Sequence, residues 1–147
     1  MPVKYTPQGF HTVTPFYMVK DAPKFIKFIK KAFDAREIET HKMPDGTVMH
    51  AQFSIGDSML MLAEACGKFK PIPMMMYLYV KDTDATYKRA LAAGAKSLQK
   101  PADQFYGDRS GGVIDGFGNM WWIGTHIKDV SKTEIESCFA EYGKKKK

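Results

Sequence analysis

Apolar and polar positions along the chain change period several times. Thr12 to Val19 alternates and reads as a strand, and Ala22 to Phe33 carries Phe25, Phe28, Ile29 and Ala32 at the spacing of one helix face. Arg36 to Lys42, Val48 to Ile55 and Met59 to Ala65 then return to strand patterns separated by turn residues. The predicted order is βαβββ.

The second half repeats it. Met74 to Val80 is a strand, Asp82-Thr-Asp84 supplies N-cap candidates for a helix from Ala85 to Ala93, and Gly94 closes that helix. A short strand at Lys96 to Gln99, a loop at Pro101 to Asp108 and a hairpin of Arg109 to Ile114 with Met120 to His126 complete the order. Ser131-Lys-Thr-Glu134 is a capping box for a terminal helix ending near Tyr142-Gly143. Val19-Lys20-Asp21 recurs as Val80-Lys81-Asp82, an offset of 61 residues, and Lys27 and Ala32 match Lys88 and Ala93 at the same offset. The expected fold class is therefore α+β: two βαβββ modules, about 9–67 and 72–127, forming curved mixed sheets around a concave pocket, plus a C-terminal helix at about 131–143. They form one domain.

Alternation sorts the side chains by face. A two-residue turn at Gly56-Asp57 places Ser54 opposite Met59, Gln52 opposite Met61 and His50 opposite Ala63, while Ala51, Phe53, Ile55, Leu60 and Leu62 form an apolar set for the helix side. A four-residue loop in the second hairpin places Val113 opposite Met120, Gly111 opposite Trp122 and Arg109 opposite Gly124. If Val19 and Val80 face the helices, Thr14, Phe16, Met18, Met75, Tyr77 and Tyr79 face away from them. Together with His50, Gln52, Met61, Tyr106, Arg109 and Trp122 these are the candidate ligand-binding residues, a Met and aromatic wall with a few polar groups.

Composition narrows the class without choosing a chemistry. With 44% apolar and 26% charged residues the chain is an ordinary globular one, and its charge of +6 lies largely in Lys24, Lys27, Lys30 and Lys31 on one helix and in Lys144 to Lys147. Without an aromatic-plus-basic motif this argues against nucleic acid. No run approaches the roughly 18 apolar residues of a membrane helix, and no signal-peptide pattern is present, so a cytoplasmic location without membrane contact is expected. Cys66 and Cys138 lack metal-site spacing and are assigned no chemistry.

Four segments carry a family resemblance: Gly9 to Asp21, Met49 to Ser58, Tyr106 to Arg109 and Asp115 to Trp122. They resemble the glyoxalase, bleomycin-resistance and extradiol-dioxygenase group, the vicinal oxygen chelate superfamily, and most of all its glyoxalase-like or demethylubiquinone-methyltransferase-like branch. The resemblance implies paired βαβββ modules, frequent homodimers, and in some relatives cavities completed by modules from two chains. Metal-using relatives place His on a first strand and Glu on a last one. The matching positions here are Thr14, Met75, Met61 and Trp122, none of them a good ligand for a borderline divalent ion, so no metal and no cofactor is expected.

The expected function is binding of a small apolar or planar, possibly anionic, organic ligand. The alternative is a metal-dependent or His50-based lyase, isomerase or dioxygenase, with His50 as general acid or base. His50 would otherwise simply hydrogen-bond a neighbour. Arg109, beside Trp122 and the tyrosines, would clamp an anion, or else fix the loop with Asp108. Glu64 falls on the helix side, and His11, His41 and His126 are expected to be solvated.

Overall fold

The computed structural model describes residues 2–146. Its first module runs β1 (Phe16–Val19), α1 (Ala22–Phe33), β2 (Arg36–Lys42), β3 (Val48–Ile55) and β4 (Ser58–Glu64). The second runs β5 (Met75–Tyr79), α2 (Thr83–Ala92), β6 (Lys96–Asp103), β7 (Asp108–Ile114) and β8 (Met120–His126), followed by α3 (Lys132–Lys146). Each module makes one open four-stranded sheet, ordered β1-β4-β3-β2 and β5-β8-β7-β6. In each, the first strand lies parallel to the last and the other pairs are antiparallel. Among the described residues no helix is long and apolar enough to cross a membrane.

The helix starts are fixed by side chains. Asp21 takes a left-handed conformation (φ 72°) and accepts the Lys24 amide proton, while Glu64 accepts from the amides of Asp21 and Ala22 at 2.7 and 2.9 Å. Glu64 thus satisfies amides that α1 leaves unpaired at its start, a structural task at the positive end of a helix. Asp82 caps α2 through the Ala85 amide, and Ser131 caps α3 through Glu134.

One core joins the modules, and it is built from the helix sides of both sheets. Tyr17, Phe25, Phe53 and Leu62 of the first module are buried with Val113, Trp121 and Ile123 of the second. Tyr17 stacks on Trp121 with centroids 5.5 Å apart, Phe33 meets the same indole at 4.7 Å, and Phe25 meets Phe117 edge-on at 5.2 Å. The helices also touch directly, Lys31 Nζ donating to the Ala92 carbonyl and Arg89 Nη2 to the Lys31 carbonyl.

Register separates the two hairpins. In the first, Ser54 pairs with Met59 and Gln52 with Met61, as the two-residue turn requires. In the second, Ile114 pairs with Met120, Val113 with Trp121, Gly112 with Trp122 and Arg109 with Thr125, one residue away from the expected pairing. The cause is Asp115. Its carboxylate accepts from the amides of Phe117 and Asn119, from Asn119 Nδ2 and from Trp121 Nε1, all at 2.8 to 3.0 Å, so the turn wraps five residues around it instead of four. Because side chains alternate, a one-residue slip exchanges the faces of one strand relative to its partner. Arg109 consequently leaves the open face.

Strand β6 also runs on to Asp103, where sequence suggested a loop from Pro101. It is an edge strand with register shifts between Ser97 and Gln99 and between Gln99 and Ala102, and an edge accommodates a proline that a central strand would not. Strand β1 is shorter than expected, beginning at Phe16 rather than Thr12.

Candidate ligand-binding faces

With the helix sides joined in the core, each sheet turns its other face outward. On module one this open face carries Phe16 and Met18 from β1, His50 and Gln52 from β3, and Met61 from β4. On module two it carries Met75, Tyr77 and Tyr79 from β5 in register with Met120, Trp122 and Gly124 of β8. The residues expected around one cavity therefore divide between two separate faces of the chain. A cleft of about 960 Å³ lies elsewhere, between the β3–β4 turn and the edge of β5. Of the candidate ligand-binding residues only Tyr77 and Tyr79 line it.

On module one, the His50 ring lies 5.8 Å from the Phe16 ring and its Nε2 is 3.5 Å from Gln52 Nε2. Among the described residues no carboxylate contacts His50. Thr14 lies before β1 and donates its hydroxyl to the His11 carbonyl at 3.3 Å. Glu39 and His41 of β2, paired with Gln52 and His50 of β3, lie 3.3 Å apart on the exposed edge.

Module two has the more organised chemistry. The Tyr77 and Tyr79 hydroxyls both donate to Asp108 Oδ2, at 2.8 and 3.0 Å, and His126 Nδ1 meets Asp108 Oδ1 at 2.9 Å. The other ring nitrogen of His126 reaches Asp129 at 2.7 Å, and the Tyr106 hydroxyl lies 3.4 Å from Ser110 Oγ. Asp108 is 3% exposed. Burial pushes its carboxyl upward, but the bonds from His126, Tyr77 and Tyr79 together outweigh this and hold it below the usual carboxylate value. Burial and the bond to Asp108 raise the Tyr77 phenol, and that same bond raises Tyr79 first of all. Asp129, then Asp108, raise His126.

The aromatic rings lie down on this sheet because glycines sit beneath them. A Cβ on Gly112 would overlap the Trp122 ring, and one on Gly124 would overlap the Tyr77 ring. Tyr77 and Tyr79 are 5.0 Å apart between centroids, tilted by 49°.

Arg109 is placed differently from expectation. Its guanidinium grips Asp84 at the start of α2, with Nε to Oδ2 at 2.7 Å and Nη2 to Oδ1 at 3.0 Å, and Nη1 holds Asp103 at 3.0 Å. These contacts raise it further and hold Asp84 below its ordinary value. It therefore fixes α2 and β6 against β7 rather than facing Trp122, and Asp108 is not its partner. Asp108 and His126 are the residues that sequence reasoning missed. A signal existed: Tyr77 and Tyr79 share a face, and two phenols ending together call for one acceptor.

The family model for the glyoxalase/bleomycin resistance protein/dioxygenase superfamily matches residues 9–123, most of both modules. The chain belongs to this superfamily. An uncharacterized protein from Mycobacterium bovis is 35% identical, the match covering 89% of this chain and 93% of that one. The superfamily fold recurs in the crystal structure of TioX from a Micromonospora species, with a TM-score of 0.65 and 23% identity over 78% of this chain and 96% of the other. It recurs again in a Bacillus cereus PhnB protein described as a putative 3-demethylubiquinone-9 3-methyltransferase, at a TM-score of 0.61 and 18% identity over 78% and 99% of the two chains.

The resemblance implies, for metal-using relatives, His on a first strand and Glu on a last one. Here the matching positions, Thr14, Met61, Met75 and Trp122, supply a hydroxyl, two thioethers and an indole. Among the described residues no three His, Cys, Asp or Glu side chains are grouped to hold an ion. This donor set does not fit a hard or borderline divalent metal.

Proposed function

We propose that the protein is a homodimeric small-molecule-binding member of the superfamily, working without a metal or other cofactor. The open face of module one in one copy covers the open face of module two in the other, and an apolar or planar organic ligand sits between them. The observation that carries this reading is the exposure of large side chains on both faces: Phe16 41%, Met75 58%, Tyr77 42% and Tyr79 66%. Contiguous apolar surface of this kind marks a binding or association site. Facing each other across a two-fold axis, the two faces would bring Phe16, His50 and Met61 of one copy opposite Met75, Tyr77 and Trp122 of the other, giving the aromatic walls usual in ligand pockets.

Anion binding was expected through Arg109 alone, and Arg109 is engaged by Asp84 and Asp103 on the helix side. The reading therefore keeps the apolar or planar ligand and drops the anionic one. Light scattering coupled to size exclusion, with titration of the neutral dye Nile red, tests it. A dimer that binds the dye saturably, with matching quenching of tryptophan emission and indifference to chelator, is the expected result. A monomer without saturable binding overturns it.

A further inference from the structure

On module two, the hydrogen bonds around Asp108 decide which kind of ligand the open face accepts. A carboxylate has no proton to give, so the Tyr77 and Tyr79 hydroxyls must both point their hydrogens at Asp108 Oδ2, at 2.8 and 3.0 Å. Their oxygens then face a ligand only as acceptors. Burial beside the carboxylate and the bonds to it keep both phenols protonated, so neither serves as a base. The rings add to this polarity. Tyr77 lies over Gly124 and Trp122 over Gly112, presenting their π faces, which attract positive charge.

Formal charge points the same way. Asp108 and Asp129 flank a single His126, while Arg109 is turned to the opposite side of the sheet and neutralised by Asp84 and Asp103. Lys96 is in register with Ile114, at the end of β7 away from Asp108.

We infer that this face, resting on the binding role proposed above, selects a protonated amine carried on a flat apolar body. The amine would donate to the Tyr77 and Tyr79 oxygens over the buried carboxylate, with the flat body against Trp122 and Met75.

Isothermal titration calorimetry with naphthylmethylamine, naphthylmethanol and naphthoate separates charge from shape, because all three share one apolar body. The amine should bind tightest, by about tenfold over naphthoate, and this preference should shrink in Asp108→Asn and at high salt. Circular dichroism checks that Asp108→Asn folds. Tyr79→Phe, which leaves Asp108 its bonds to Tyr77 and His126, provides a second variant and should lower the amine preference by about threefold. Equal binding of all three probes, or tighter binding of naphthoate, overturns the inference while leaving the dimeric binding role intact. Failure of all three probes and of Nile red overturns both.

Discussion

Trp121 donates its indole N–H to Asp115 Oδ2 at 2.9 Å, and both residues are buried. The same carboxylate organises the β7–β8 turn, so one side chain sets the register of module two and anchors the indole at the centre of the core. Burial and the nearby Asp115 also push the Tyr17 phenol upward, which keeps the ring stacked on Trp121 neutral. Replacing Asp115 by Ala strands buried donors from Asn119 and Trp121. Urea unfolding should show a loss of about 3 kcal/mol, with a smaller loss for Asp115→Asn. An unchanged midpoint would mean that the turn holds itself without the carboxylate.

Gly112→Ala should lift Trp122 off the sheet, because the added methyl would overlap the six-membered ring of the indole. Its emission should shift, and affinity for Nile red should fall by about tenfold, the equivalent of ~1.4 kcal/mol. Gly116→Ala, where a Cβ meets nothing within 4 Å, is the matched control and should change neither.

Arg109→Gln should leave Nile red affinity unchanged, since the guanidinium serves Asp84 and Asp103 instead of the open face. Its effect should be a modest, salt-sensitive loss of stability at these partly exposed ion pairs. A large fall in ligand affinity with intact stability would return Arg109 to the binding face.

The stability that His126 contributes should be lost as the pH rises above about 6.5. His126, between Asp129 and Asp108, is raised above 6.5, and such a group contributes fully below that ordinary value and loses its contribution as pH climbs through the raised one. His126→Gln should flatten this part of the urea-midpoint profile. Asp108 has the opposite sign. Held below the ordinary carboxylate value, it contributes above about pH 3.9 and loses that contribution as pH falls through its lowered value.

Sequence reasoning reached furthest where structure is local. The Gly56-Asp57 turn fixed the β3–β4 pairing because a two-residue hairpin admits one register, and Asp82 and Ser131 announced their caps by spacing alone. It failed at Asp115, whose bond to Trp121 crosses the turn and adds a residue to it. That single residue carried Arg109 to the other face, and with it the expected anion clamp. Alternation turned Trp122 and Tyr77 toward one cavity without pairing them, and the structure sets them in register on adjacent strands. What alternation does not encode is how the modules meet, because either face of a half-apolar sheet can be the inner one. The tyrosine pair was therefore legible, while its acceptor Asp108, hidden beside an arginine in sequence, was not.

The helix contact falls at related positions of the two modules. Lys31 touches Ala92, and these two positions are 61 residues apart, the same offset that relates the two copies of Val-Lys-Asp. The two helices therefore meet at matching positions of the repeated module. The helix-side surface of each module is sealed against the other within one polypeptide. Each half has its helix side buried against the other, which leaves the outward sheet faces uncovered. A module expressed alone should therefore recover its missing twin by pairing with itself.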